Sequence, residues 1–277
     1  YNCDKLTSIE IPKSLQTGGG QFFSGAFDDC DNLKEVIFEV GTTKVADFLF
    51  KNCTGLETIT IPEGVTKIGN QAFKNCKNLR VLNMPESTTE IGFEAFSNTA
   101  LEQVVITNKV TEIGDSAFKE CNNLLEIILS DSVTNMGNSV FADCSALQAV
   151  TLSSRCNKIP HHMFSNCTAL SQIVIPEAVT EIEAYAFYNC DSLTTITIPD
   201  SVTRIGSYAF SQSELLGTVT FGEGLTQIDS NAFELCPALR SIVLPKKLTK
   251  VSDKAFSNCT NLTEVTIPRR VTSIGNN

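Results

Sequence analysis

The chain has 277 residues, of which 42% are hydrophobic and 19% are charged, and its formal net charge is −10. This composition is typical of a folded globular protein, and because no apolar run approaches the roughly 20 residues that a membrane span needs, we predict no membrane insertion in this segment. The negative charge argues against nucleic acid and an anionic membrane surface as partners, since both require clustered Lys and Arg, and the pair Arg269-Arg270 is too small to change that.

An internal repeat organises almost the whole chain. Its phenylalanines follow one another at intervals of 23 residues, with one step of 22. Counted from its cysteine, the unit is C-x2-L-x2-I-x-I-P-x2-V-x2-I-G-x2-A-F-x2, and twelve units have first leucines from Leu6 to Leu262. The phenylalanines are Phe27, Phe50, Phe73, Phe96, Phe118, Phe141, Phe164, Phe187, Phe210, Phe233 and Phe256.

Each unit predicts two short strands and a turn. The stretch L-x-x-I-x-I alternates apolar and polar residues, which indicates a strand with one buried face. Proline, as at Pro62 and Pro199, ends this strand because proline cannot donate a hydrogen bond to a ladder. The following V-x-x-I-G predicts a second short strand, and x-x-A-F-x-x-C predicts a helical turn.

The first repeat of the chain is irregular. The segment Gln16-Thr17-Gly18-Gly19-Gly20-Gln21 lengthens its connection by four residues. Phe22 then falls in an isoleucine position and is expected to be buried, whereas Phe23 replaces the glycine and is left for solvent or a partner. Phe23 is therefore a candidate contact residue, and a local packing irregularity is an equal alternative.

Both ends of the chain fall inside a unit. It starts at Tyr1 and stops just after Ser273-Ile274-Gly275. We therefore predict one domain over residues 1–277 that is truncated mid-repeat at both ends. Terminal coils of repeat proteins normally carry polar caps, and this segment has neither, so we expect open apolar ends and weak end-to-end self-association.

Stacking of the units defines the fold class. A 23-residue unit cannot bury its own apolar face, so each strand is expected to pair in parallel with its counterpart in the next coil. We predict an α/β solenoid: a right-handed superhelix of about twelve 23-residue coils, with a parallel β-sheet on one face and short strands and helical turns on the other.

The unit L-x-x-I-x-I-P-x-x-V-x-x-I-G-x-x-A-F-x-x-C resembles the BspA-like class of bacterial leucine-rich repeats, which some protozoan surface proteins also contain. The resemblance covers essentially the entire chain. It implies a leucine-rich-repeat superhelix in a secreted or surface-anchored, extracellular protein. It also implies binding of host matrix or plasma proteins such as fibronectin and fibrinogen.

The cysteines are predicted to be structural. Ten of the eleven occupy one position of the unit, where two other units have Thr99 and Ser213, and Cys156 takes the place of a core valine. No pair has the C-x2-4-C spacing of a zinc site, and stacked side chains point in parallel, away from disulfide geometry. We expect unpaired, buried packing thiols. The ten are Cys3, Cys30, Cys53, Cys76, Cys121, Cys144, Cys167, Cys190, Cys236 and Cys259.

Other residues give little indication of chemistry. His161-His162 are the only histidines, and consecutive residues rarely bind one metal ion. The Asp28-Asp29-Cys30-Asp31 stretch lacks the alternating ligands and glycine of a calcium loop. No nucleophile elbow, phosphate loop or dinucleotide fingerprint occurs. We expect no metal, no cofactor and no enzymatic activity.

The outward positions of the first strands are the candidate binding surface. Residues between the two isoleucines of each unit form one column along the sheet, and aromatic residues are absent from that column. Its apolar part and neighbouring residues form a candidate protein-binding patch, for which ordinary sheet packing is the alternative. A sugar-binding site is less favoured without aromatic residues, and the Thr-x-Thr pairs are too few for an ice-binding array. The patch residues are Val81, Val105, Leu125, Ile128 and Val174.

Two functions of different class follow from the sequence. The first is a surface-exposed recognition or adhesion module that binds a protein through the sheet and its rims without catalysis. The second is a rigid structural spacer that presents another domain of a longer surface protein.

Overall fold

The computed structural model describes residues 3–16 and 25–276. The backbone divides into two compact units, each made of several coils. From here on, the first unit is Tyr1–Cys144 and the second unit is Ser145–Asn277. Phe23, like the rest of the irregular segment at 17–24, lies outside the described residues.

The first unit contains eleven described strands and one 3₁₀ helix, Lys13–Gln16. The strands are β1 Ser8–Ile11, β2 Glu35–Phe38, β3 Lys44–Val45, β4 Thr58–Thr60, β5 Lys67–Ile68, β6 Val81–Asn83, β7 Glu90–Ile91, β8 Gln103–Val105, β9 Glu112–Ile113, β10 Glu126–Ile128 and β11 Asn135–Met136.

The second unit contains twelve strands. They are β12 Ala149–Thr151, β13 Lys158–Ile159, β14 Gln172–Ile173, β15 Glu181–Ile182, β16 Thr195–Ile198, β17 Arg204–Ile205, β18 Thr218–Phe221, β19 Gln227–Ile228, β20 Ser241–Val243, β21 Lys250–Val251, β22 Glu264–Thr266 and β23 Ser273–Ile274. About eleven coils therefore have both a first and a second strand in the described residues, whereas twelve coils were expected. The difference arises because the second half of the first coil lies outside the described residues.

The described strands pair in parallel, as predicted. The ladders that the short second strands form contain more strands than those of the first strands. The second strands form a five-stranded ladder, β3-β5-β7-β9-β11, in the first unit and a six-stranded ladder, β13-β15-β17-β19-β21-β23, in the second. The longer first strands are joined within the units as the pairs β1-β2, β4-β6 and β8-β10, and β12-β14, β16-β18 and β20-β22. The right-handed sense of the coil stays a prediction.

The predicted helical turns are wrong. Residues two before and two after each phenylalanine have positive φ, for example 53° at Gln71 and 62° at Asn75, which an α-helix does not allow. The change between negative and positive φ along this segment directs its backbone N–H groups toward the next coil. For example, Phe73 N–H donates to the Ala95 carbonyl at 2.8 Å. Because backbone amides must find partners, stacking selects a third inter-coil ladder over a helical turn.

The core consists of inward columns, as the repeat predicts. The phenylalanine rings stack at centroid distances of 5.3 to 5.9 Å from Phe27 to Phe141 in the first unit. The distances are 5.1 to 5.5 Å from Phe164 to Phe256 in the second unit. Each coil thus covers the apolar cross-section of its neighbour, which the coil could not bury by itself.

Candidate functional site

The first strands of the first unit present a cluster of apolar side chains to solvent. Val105 on β8 lies directly opposite Ile128 on β10 in the parallel register. These two side chains are 75% and 61% exposed, and Val81 on β6 and Leu125, just before β10, are exposed as well. Cross-strand neighbours lie about 5 Å apart, so the structure brings these two sequence-predicted residues together. We call Val81, Val105, Leu125 and Ile128 the apolar patch.

Polar groups border the apolar patch. Arg80 and Glu102 form an ion pair at 3.5 Å, with both side chains more than half exposed. Asn83 donates from Nδ2 to Thr60 Oγ1 at 3.1 Å on the same outward face. An apolar centre with a polar, hydrated rim is the usual composition of a protein-binding surface.

The remaining predicted site residues lie elsewhere. Val174 belongs to the second unit, follows β14 and is 80% exposed. Phe23 lies outside the described residues. Sequence reasoning left out Val243 on β20, which is 75% exposed and occupies the same column of the repeat. The column position alone would have identified it.

The cysteines are packing residues with a specific hydrogen bond. Ten of the eleven are buried, and no disulfide joins the cysteines of the described ranges. Cys76 Sγ donates to the Phe50 carbonyl of the preceding coil at 3.1 Å, and Cys190 Sγ does the same to Phe164 at 3.2 Å. Ser213 makes the equivalent bond through its hydroxyl, which explains why serine replaces cysteine there. Cys3 is exposed, which corrects its assignment as a buried residue.

The buried thiols are poor nucleophiles. Burial raises the pKa of the Cys121 and Cys156 thiols to about 11, and that of Cys53 to about 12. Desolvation also raises the pKa of Cys190 and Cys236. The thiolate is the reactive and metal-binding form, so these side chains stay protonated near neutral pH. They therefore contribute packing and hydrogen bonds rather than chemistry.

The histidine pair divides between two different contacts. His162 stacks on Tyr185 with a centroid distance of 4.6 Å, whereas His161 Nε2 lies 3.5 Å from Glu183. Across residues 3–16 and 25–276, no group of three or more His, Cys, Asp or Glu side chains has the arrangement of a metal site.

In the same residues no helix has the length and hydrophobicity needed to cross a membrane.

Comparison with known proteins agrees with the repeat. A family model for the BspA type leucine-rich repeat region matches residues 1–123, 89–215 and 180–277, which together span the chain. The chain belongs to this family. BspA-type leucine-rich repeat proteins are typically found at the cell surface and are generally non-enzymatic. Membership therefore fits a protein-interaction or structural role.

Solved structures of leucine-rich repeat proteins have a similar fold. A leucine-rich repeat protein from Bacteroides ovatus ATCC 8483 is 25% identical, with a TM-score of 0.70 over 97% of this chain and 83% of that one. The pneumococcal vaccine antigen PcpA is 20% identical, with a TM-score of 0.57 over 98% of this chain and 65% of that one, a likeness of fold alone. A search of curated proteins gave no match.

Proposed function

We propose that this chain is a non-catalytic recognition or adhesion module of a secreted or cell-surface protein. It binds a protein ligand through the exposed face of its first strands, with the apolar patch at the centre of the contact. The observation that carries this proposal is the pair Val105 and Ile128, two largely exposed β-branched side chains held opposite each other on a hydrogen-bonded strand pair.

The rigidity of the patch favours binding. Beneath it, Val104 and Ile127 pack into the core and Leu101 and Leu124 are fully buried. Exposed side chains on such a preordered backbone lose little conformational entropy when a partner covers them. Contiguous exposed apolar surface with a polar border marks an interaction site more often than scattered single residues do.

We further propose an extracellular location and a host matrix or plasma protein as the ligand. The family's usual place at the cell surface supports the location. The absence of aromatic side chains from the patch favours a protein ligand over a sugar ligand, since sugar sites generally use aromatic rings for stacking.

The alternative function is a rigid spacer that presents another domain of a longer surface protein. The unbroken five- and six-stranded ladders of the second strands favour it, because each coil is fixed to its neighbour by backbone hydrogen bonds. A spacer would carry the same Val and Ile side chains, because β-branched residues suit exposed strands.

The test is binding of purified fibronectin and fibrinogen to the immobilised chain by surface plasmon resonance. We expect the double variant V105E/I128E to weaken binding at least about tenfold, because it places two carboxylates in the centre of a desolvated contact. The matched control is T197E/T220E, which introduces the same charges at the same column position on the paired strands β16 and β18 of the second unit. We expect the control to bind like the unchanged chain.

Two results would contradict the proposal. Equal binding by V105E/I128E and the unchanged chain would remove the apolar patch as the contact and favour the spacer. Equal loss in T197E/T220E would show that negative charge anywhere on the chain weakens binding.

A further inference from the structure

Basic residues occupy one corner of the last two coils. In each of these coils a β-turn joins the first strand to the second, with Leu248 N–H donating to Pro245 O and Val271 N–H donating to Pro268 O, both at 3.1 Å. The central residues of the first turn are Lys246-Lys247 and those of the second are Arg269-Arg270, and all four are exposed. Central residues of a β-turn project away from the strands that the turn connects.

The strand register brings the two turns together. Val243 lies opposite Thr266 before the turns, and Lys250 lies opposite Ser273 after them. The spacing is 23 residues on both sides, so Lys246 is adjacent to Arg269 and Lys247 to Arg270, with coils about 4.8 Å apart. The four cations form a two-by-two array, which we call the basic corner. None of them takes part in an ion pair within residues 25–276.

The basic corner is a departure from the repeat. The first central turn position carries Glu177, Asp200 and Glu223 in three preceding coils of the second unit, and then changes to Lys246 and Arg269. The chain's net charge of −10 does not oppose an anion here. Residues 1–144 carry 11 Lys and Arg against 20 Asp and Glu, whereas residues 145–277 carry 10 against 11.

A groove of about 410 Å³ ends at the basic corner. It runs between β18 and β20, with Thr218 and Thr220 on one side and Ser241 and Val243 on the other, and Lys246 lies at its end. The outward side chains of β18 and β20 form the floor of this groove, so an extended segment of another chain can lie along them and reach Lys246.

We infer that the groove and the basic corner together bind an extended acidic segment of a partner protein. The segment lies along the outward side chains of the groove, and its carboxylates contact Lys246, Lys247, Arg269 and Arg270. Arginine and lysine side chains form charge-assisted hydrogen bonds with carboxylates. This site lies in the second unit and shares no residue with the apolar patch.

Glu223 selects a peptide over other anions. It lines the same groove as Lys246. A nucleic acid carries a charge at every nucleotide and requires a wide cationic surface, so it would be repelled there. A peptide places a neutral residue beside Glu223 and acidic residues beside the basic corner.

The test uses the full chain and a capped, fluorescein-labelled peptide of three valines followed by three glutamates, with binding followed by fluorescence anisotropy. We expect K246E/R269E to weaken binding at least about tenfold, and K246Q/R269Q to weaken it by a smaller factor. The matched control is K109E. Lys109 is an exposed cation at a central position of the equivalent turn in the first unit, where Val110 N–H donates to Thr107 O at 3.2 Å. We expect K109E to bind the peptide like the unchanged chain.

A second probe separates the groove from the basic corner. The same peptide with glycines in place of the valines has no side chains to contact Val243 and the threonine methyl groups of the groove, so we expect it to bind several-fold more weakly. Equal binding of both peptides would overturn the groove. Equal binding by K246E/R269E and K109E would overturn the basic corner, and tighter binding of a heparin hexasaccharide through the same cations would replace the acidic peptide by a sulfated glycan. Each of these results leaves the test of the apolar patch unaffected.

Discussion

At the residue scale, the cysteine column shows how a small side chain meets two requirements together. It fills a narrow space inside the coil, and it donates to a phenylalanine carbonyl of the preceding coil. Size and burial were predictable from the repeat, because residues at equal positions of stacked coils form columns. The hydrogen bond was not predictable, since its acceptor lies 26 residues away in the sequence.

We predict that C190A destabilises the fold more than C190S does. Serine keeps a donor for the Phe164 carbonyl, as Ser213 does for Phe187, whereas alanine removes this donor and leaves the carbonyl with the Cys167 N–H alone. The loss of one such hydrogen bond costs about 0.5–1.5 kcal/mol, so the free energy of unfolding is expected to be lower in C190A than in C190S by about that amount. Urea unfolding of both variants, followed by circular dichroism, measures the difference. Equal unfolding midpoints would show that the bond contributes nothing.

At the element scale, the segment around each phenylalanine shows where local sequence misleads. The pattern x-x-A-F-x-x-C is compatible with a helical turn when one 23-residue repeat is considered alone. In the stack, Phe73 and Asn75 donate to the next coil, and residues such as Gln71 adopt positive φ to allow this. Inter-coil hydrogen bonds along the whole unit outweigh the local cost of the left-handed conformation, about 1–2 kcal/mol per residue.

The glycine after the second strand is required by the neighbouring coil. A Cβ atom on Gly137 would lie 2.3 Å from both the backbone nitrogen and Oδ1 of Asp115. That carboxylate accepts a hydrogen bond from Asn138 N–H at 2.7 Å, so it cannot move away without losing a contact between coils.

We predict that G137A lowers the free energy of unfolding by about 2 kcal/mol or more, because the clash involves backbone. G217A is the matched control, since a Cβ atom there would meet Ala238 O at an ordinary 3.5 Å. Chemical denaturation of the two variants tests this. A loss of stability in G217A as large as that in G137A would contradict the explanation.

At the scale of the whole molecule, the last coil leaves inward-facing positions uncovered. Val265, Ile267 and Ile274 are exposed, although the equivalent residues of the preceding coil, such as Ile242 and Leu244, are buried. A cavity of about 330 Å³ opens there, lined by Leu244, Val251, Phe256 and Leu262 among others. Uncovered apolar columns next to free strand edges favour the self-association that the sequence predicts.

We predict that the chain associates weakly through this end. The weight-average sedimentation coefficient is expected to rise with protein concentration, and to stay constant in I267E/I274E because charges oppose stacking of the apolar columns. V40E is the control, since Val40 is an exposed side chain of the first unit, and it is expected to behave like the unchanged chain. A monomer at every concentration would exclude the association.

The sequence by itself determined the parallel stacking, the inward columns and the family, because a repeat of 23 residues forces equal positions to lie over one another. The single domain over 1–277 stays a prediction. Only the tertiary structure decided which strands share a ladder, which turns replace the expected helices, and which side chains stay exposed. It also placed Lys246-Lys247 beside Arg269-Arg270, whereas the sequence alone singled out only Arg269-Arg270, as too small to favour nucleic acid or an anionic membrane surface. The physical reason is that pairing, exposure and charge clustering depend on contacts between coils, which no single unit contains.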